Sequence, residues 1–283
     1  MKNIVVTGGS GRLGQLVIRE LLACSYDVLS LDRIAPREKL CPSWIADLRR
    51  SGDLYEALRN AYGVVHLGAY QAPGLTSDSE TFSNNVSATY NVLKAASDLG
   101  VEKVVIASST AAFGFIYAMK PFSPEYLPVD ENHPSKPQDS YGLSKAVGEQ
   151  IADSFARITD RITISSLRFP GIIFDFSYEL VRQRWADPKG RASGFWAYID
   201  ARDAARACRL ALEAEFKGHE VMIVAASRSS MKESTDELVK KHLGAGIEIK
   251  GSLRGNWSGV DSSKAKTLLS FEAAHAWENY LKI

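Results

Sequence analysis

A doubly wound α/β fold, with a parallel sheet covered by helices on both faces, is what the sequence predicts, and two observations predict it. Short β-rich runs alternate with longer stretches of helical period through the first 170 residues, the pattern of strands joined by crossover helices. A glycine-rich turn, Thr7-Gly-Gly-Ser-Gly-Arg-Leu-Gly14, lies between the first such run and the first helical stretch.

Taken in order, the proline-free apolar runs predict strands over 3–7, 27–32, 43–47, 63–68, 103–109 and 163–169. A helix from Gly11 or Arg12 places Leu13, Leu16, Val17 and Leu21 on one face. Further helices are expected around 53–61, capped from Ser51, around 80–99, and from Tyr141 to about 158. Prolines 121, 124, 128, 134 and 137 mark 115–140 as a long loop beside the sheet edge, where ligand contacts concentrate. After residue 170 the alternation weakens. A helix over 201–214, a strand over 220–225 and short helices near 234–243, 262–269 and 276–282 remain. The expected organisation is a first unit of 1–170 and a small lobe of 171–283, parts of which return to the sheet.

Composition narrows the function classes. With 45% hydrophobic residues in 283, a sizeable core is expected. Thirty-four basic residues against 33 acidic ones give a net charge of +1, so the whole-molecule field attracts neither nucleic acid nor an anionic membrane. The apolar run Ile4-Val5-Val6 is too short for a signal peptide, and no stretch approaches a membrane span of about 18 residues, so a cytoplasmic location is the expectation. Cys24, Cys41 and Cys208 are odd in number and lack metal-ligand spacing, which predicts reduced thiols and no metal site.

Position gives the glycine turn its meaning. Gly8, Gly11 and Gly14 allow a sharp turn and let backbone N–H groups, with those of Arg12 and Leu13 at the helix start, approach a pyrophosphate. Asp32 ends the second strand 18 residues beyond Gly14, where an acid meets the adenosine ribose hydroxyls. Together they predict a Rossmann-type dinucleotide site. An acid there repels a 2′-phosphate and favours NAD, while the adjacent Arg33 leaves NADP open.

Tyr141-Gly-Leu-Ser-Lys145 is the most informative string. On a helix the two ends are neighbours four residues apart. Lowering a phenol pKa from ~10 by about 3 units requires roughly 4 kcal/mol, and a cation at ~4 Å in a dielectric of about 20 supplies a similar amount. Ser108-Ser109-Thr110 ends the fifth strand at the carboxyl edge, from which a hydroxyl can polarise a substrate oxygen.

With these residues in place the chain resembles the extended short-chain dehydrogenases/reductases, the NAD-dependent epimerase/dehydratase family. The landmarks run in order: Thr7 to Gly14, Asp32, Asp47-Leu48, His66-Leu67-Gly68-Ala69, Asn85-Val86, Ser108-Ser109, Phe113-Gly114, Tyr141 to Lys145 and Leu167-Arg168-Phe169. The match is looser through 198–203 and 257–277. The resemblance implies Tyr141 as general acid/base, Lys145 as ribose ligand and modulator of the tyrosine, and Ser109 as partner of the reacting oxygen. It further implies that Asp47 and Leu48 border the adenine, that Leu67, Gly68 and Ala69 pass the cofactor backbone, that Asn85 belongs to the cofactor site, and that Pro170 lies near the nicotinamide. His66, within a strand-end motif, is read as structural.

Departures from the family pattern bear on the reaction. Thr110-Ala111-Ala112 follows Ser109 where family dehydratases carry an Asp-Glu pair, which argues against water elimination. Pro170 follows Leu167-Arg168-Phe169 where nucleotide-sugar epimerases carry asparagine, and 171–198 is short for a nucleotide-sugar pocket. The resemblance therefore implies an NAD(P)-dependent oxidoreductase acting on a small sugar, sugar acid or similar hydroxy compound. A UDP-glucose 4-epimerase-like activity is the alternative, and a non-catalytic NAD(P)-sensing protein stands behind both. A homodimer through the 80–99 and 141–158 helices is a further family expectation.

Overall fold

The computed structural model describes residues 1–281 apart from Ala245 and Ser252. The chain runs β1 (Asn3–Thr7), α1 (Arg12–Ala23), β2 (Asp27–Asp32), β3 (Ser43–Ile45), α2 (Ser51–Ala57), β4 (Gly63–His66), α3 (Asp78–Leu99) and β5 (Lys103–Ser109). A 3₁₀ turn over Thr110–Phe113 leads to β6 (Tyr126–Leu127), α4 (Ser140–Ala156), β7 (Thr163–Phe169), β8 (Gly171–Ile173) and α5 (Glu179–Arg184). Next come a 3₁₀ turn over Lys189–Gly194, β9 (Tyr198–Asp200), α6 (Ala201–Glu213), β10 (Gly218–Ile223), α7 (Thr235–His242), β11 (Glu248–Ile249) and α8 (Ser263–Leu269).

Seven strands form one parallel sheet in the order β10-β7-β5-β4-β1-β2-β3, the doubly wound arrangement expected from the alternation. Both faces are covered, so strand residues of either parity are apolar. Ile4 and Val6 point to the layer of α1, α6 and α8, where Val17, Leu21, Ala204 and Leu269 are buried. Val5 points to the layer of α2, α3 and α4, against Leu54, Val92 and Phe155. Full burial of such a side chain contributes roughly 1.5–3 kcal/mol. The order reverses between β1 and β4, and ligands of open α/β sheets bind outside the strand carboxyl ends at that point.

Strand limits follow the ladder. β3 stops at Ile45, short of the expected Asp47, because its register partner Asp32 is the last residue of β2. β4 stops at His66, opposite Thr7, because β1 ends there. Helix 53–61 begins instead at Ser51, with Arg50 rather than Ser51 at its N-cap, and Asn60 in the left-handed region closes the run.

A third core lies beyond the carboxyl edge, where Phe195, Trp196, Met231, Leu238 and Trp257 pack on Phe113, Phe115, Leu127 and Val129. The proline-rich loop is thereby built into the lobe: β6 pairs with β11, and Val129 bridges to Val260. α6, β10 and α8 return to the main sheet and its helical layer. In place of a helix over 276–282, a 3₁₀ turn over Trp277–Asn279 forms, with the buried Trp277 donating its indole N–H to Ser229 O at 2.9 Å; residue 282 lies outside the described residues. Among the described residues no helix is long and apolar enough to cross a membrane.

Candidate active site

A cleft of ≈ 750 Å³ opens at the carboxyl ends of the strands, extending from Asp32 and Asp47 to Ser109, Tyr141 and Pro170. Every cofactor-site and catalytic residue nominated from the sequence lines it except Asn85. Asn85 is buried beneath the wall. Its amide accepts from Tyr70 N at 2.9 Å and donates to Tyr70 O and to Ser144 Oγ, which ties the segment after Ala69 to α4.

The nucleotide end is shaped by close backbone approach. Gly8 has φ +70° and lies so near the β4 turn that a Cβ would sit 2.7 Å from Gly68 N. A Cβ on Gly14 would collide with Gly8 O, so α1 can start only where glycine stands. α1 has Gly11 at its N-cap, no side-chain cap and no acid in its first turn. Its first N–H groups are therefore open to an anion, the fit that a dinucleotide pyrophosphate requires. Asp32 accepts from Ser10 N at 3.0 Å and Ile34 N at 3.3 Å, which fixes its carboxylate over the turn. Arg33 is held over the Tyr70 ring at 5.0 Å, donating to its hydroxyl, and Arg12 stacks on Phe174 at 3.9 Å. Asp47 is paired with Arg49 at 2.7 Å, whose hydrogen bonds hold its carboxyl down at about 2.

At the other end α4 brings Tyr141 and Lys145 to β5. Asp139 caps the helix by accepting from Gly142 N at 2.8 Å. Gly142 presses on the 3₁₀ turn after Ser109, where a Cβ would meet Ala111 O at 2.6 Å, so the glycine inside Tyr141-Gly-Leu-Ser-Lys145 sets how closely α4 approaches. Tyr141 is thereby buried, and Ser109 Oγ, accepting from Ala111 N at 3.1 Å, lines the same cleft. Lys145 Nζ lies 5.7 Å from the Tyr141 ring centroid and donates to Ala107 O at 2.6 Å.

Electrostatics here depart from the sequence expectation that the lysine draws the phenol down. Burial pushes Tyr141 up to about 12, with the Ser109 hydrogen bond opposing it, and burial lowers Lys145 to about 8. Desolvation is the leading cause for both groups, since each loses water on burial in its charged form.

Glu149, one helical turn beyond Lys145, accepts from Arg168 Nε at 2.9 Å, Arg168 Nη2 at 2.7 Å and Ser108 Oγ at 2.6 Å. Both members of this ion pair are under a tenth exposed. The pair ties α4 to the ends of β5 and β7 that carry Ser109 and Phe169. His66 is buried between Thr7 Oγ1 at 2.7 Å and Thr89 Oγ1 at 3.2 Å, outside the cleft lining.

Burial holds His66 down at about 3, with Lys145 adding to the effect. A histidine neutral in the fold and titrating at ~6.5 when unfolded gives stability that is complete above 6.5 and lost as pH falls toward 3, by about 1.4 kcal/mol per pH unit. Denaturant unfolding between pH 7 and 4 is expected to show this slope, flattened in His66→Gln; equal slopes in both proteins would contradict it.

Sequence reasoning missed the far wall. Arg184, Arg191, Ser193, Trp196 and Ser230 line the cleft from the lobe, joined by Ile116 and Tyr117 from the proline-rich loop. Only the prolines signalled the loop, and no spacing rule reached the arginines.

The sequence profile of the NAD dependent epimerase/dehydratase family matches residues 4–172, and the chain belongs to that family. It is 33% identical over 206 residues to a Methanocaldococcus jannaschii protein assigned provisionally as a UDP-glucose 4-epimerase, covering 70% of this chain and 62% of the relative. It is also 33% identical over 161 residues to the L-arabinose 1-dehydrogenase (NAD(P)(+)) of Haloferax volcanii, covering 55% and 62%. The chain spans about six tenths of the length of these curated relatives. Its fold is shared by MoeE5, solved with UDP-glucuronic acid and NAD, at a TM-score of 0.73 and 24% identity over 97% of this chain and 94% of that one.

Proposed function

We propose that the protein is an NAD-dependent dehydrogenase that oxidises a hydroxyl of a sugar, sugar acid or similar small hydroxy compound. The observation that carries this reading is that Tyr141, Ser109 and Lys145 line the same continuous cleft as the glycine turn and Asp32. Gly8, Gly11, Arg12, Leu13 and Gly14 would hold the pyrophosphate, Asp32 the adenosine ribose, Asp47 and Leu48 the adenine, and Lys145 the second ribose.

Bound NAD supplies the hydride acceptor for the substrate carbon. Tyr141 takes the hydroxyl proton at its phenolic oxygen while Ser109 holds the same substrate oxygen, leaving a carbonyl product. The lobe after residue 170 supplies the substrate wall. A nucleotide-sugar epimerase would use the same groups, and the provisional epimerase relative supports that second reading; Pro170 and the short 171–198 segment favour the first.

Free cysteines support a reducing, cytoplasmic setting. We further propose a homodimer through α3 and α4, on which Tyr90 and Leu143 are exposed.

Stoichiometric NADH from a free sugar or sugar acid is the expected assay result. Interconversion of UDP-sugars without net NADH would replace the first reading by the second. Asp32→Ala is expected to weaken NAD binding roughly 10-fold, the value of a charge-assisted hydrogen bond, and to narrow the preference against NADP, both measured by calorimetry. A parent that already binds NADP more tightly would remove the role given to Asp32.

A further inference from the structure

We propose that Tyr70 is a positioning residue for cofactor choice: by seating the Arg33 guanidinium on its ring it keeps that cation from a ribose 2′-phosphate and so enforces NAD over NADP. This rests on the dinucleotide reading above and not on which hydroxy compound is oxidised. Arg33 follows Asp32 at the end of β2, where an acid meets the ribose hydroxyls and a nearby arginine can instead accommodate a 2′-phosphate. Among the described residues these two side chains form no ion pair with each other. Asp32 accepts from Ser10 N and Ile34 N, whereas Arg33 donates to the Tyr70 hydroxyl at 3.2 Å and lies 5.0 Å from the centre of its ring. The acid is left without its neighbour's compensation. The Arg33 charge also reaches Asp47, adding to the hold that the Arg49 hydrogen bonds exert on that carboxyl, so it acts toward the adenine side of the site.

Tyr70 is a firm seat. Asn85, buried on α3, accepts from Tyr70 N at 2.9 Å, donates to Tyr70 O at 3.0 Å and reaches Ser144 Oγ on α4 at 3.1 Å. The tyrosine backbone is thereby fixed to the helical layer that carries Lys145, while Arg33 is an exposed residue between β2 and β3. Ala69 and Gln71 line the cleft, but Tyr70 between them gives its ring to Arg33 instead. Asn85 thus gains a use in the cofactor site without touching the cleft: it holds the tyrosine that holds the arginine. A planar guanidinium over an aromatic face is attracted by the ring quadrupole, and the hydrogen bond from the same group adds direction. To meet a 2′-phosphate Arg33 must give up both contacts. NAD, which has no such phosphate, requires no movement of it.

Calorimetric titration of NAD and of NADP into the full chain and into Y70A, Y70F, R33Q and R33Q/Y70A tests this with no substrate present. The parent is expected to bind NAD more tightly than NADP. Y70A is expected to gain roughly 10-fold in NADP affinity, the combined value of an exposed cation–π contact and one hydrogen bond, with NAD affinity unchanged. Y70F, which keeps the ring and loses only the hydroxyl, gains less. R33Q/Y70A is expected to bind NADP no better than R33Q, because the cation to be released is gone. NADP affinity unmoved in both tyrosine variants, a gain that persists without Arg33, or an equal loss for both dinucleotides overturns the role of Tyr70 and leaves the cofactor site standing. If Y70A fails to fold, Y70F compared with R33Q/Y70F gives the same decision at smaller amplitude. A parent that prefers NADP removes the roles of Asp32 and Tyr70 together, and a parent that binds neither dinucleotide removes the site itself.

Discussion

Replacing Tyr141 with phenylalanine lowers kcat by about 10³-fold, within the range attributed to positioned general acid/base groups, and leaves NAD affinity unchanged. The ring stays in its buried seat against Tyr117, at 6.1 Å, so the cavity and helix position are preserved. What is lost is the phenolic oxygen, the group proposed to receive the substrate proton. Because burial holds this phenol near 12 and Lys145 near 8, the parent reaction accelerates as pH rises from 6 toward the alkaline range, where more phenolate is available. The variant loses that dependence. Single-turnover rates with NAD in excess measure both effects, and a variant that keeps the parent rate removes Tyr141 from the chemistry.

Glu149→Ala is expected to destabilise the fold by about 3–5 kcal/mol, the cost of stranding one member of a buried ion pair. Arg168 has no alternative acceptor at its Nη1, which is already unpartnered, and its guanidinium is stacked 4.4 Å above Phe113 in the lobe core. Ser108 loses its acceptor as well. For a chain of this size the loss corresponds to a fall in Tm of roughly 6–20 °C. Removing the carboxylate also takes away the one charge that favours the Lys145 ammonium, so Lys145 loses its charge at lower pH than in the parent and the pH–rate profile shifts. Calorimetric melting with a pH–rate profile tests both consequences; an unchanged Tm and profile would show the pair to be dispensable.

Much of the sheet was legible because parallel strands covered on both faces leave near-continuous apolar runs, as in Ile4-Val5-Val6 and Val104-Val105-Ile106. Four of the main-sheet strands, β1, β2, β5 and β7, begin and end where the runs do. β3 and β4 are shorter than their runs because length there is set by the partner's register, a property of pairs rather than of one segment. β6, β8, β9 and β11 have two or three residues each, too few to carry a period.

The same division holds at the site. Gly8, Gly14, Asp32 and Tyr141 were readable because local backbone geometry fixes their spacing, and the structure brings them to one cleft. Asn85 matched a landmark but is directed into the wall, toward Tyr70 and Ser144, an orientation set by tertiary packing. Arg184, Arg191 and Ser230 reach the cleft from separate parts of the lobe. Their approach depends on Trp185 and Trp196 folding back on Ser230 and Pro188, which no sequence period records.

Deuterium placed on the reacting carbon of the substrate tests the central claim most directly, with the nicotinamide and product recovered after turnover and weighed by mass spectrometry. The account predicts labelled NADH accumulating in step with an oxidised, unlabelled product, and neither forming in Tyr141→Phe. Product formed while no label ever reaches the nicotinamide would contradict it.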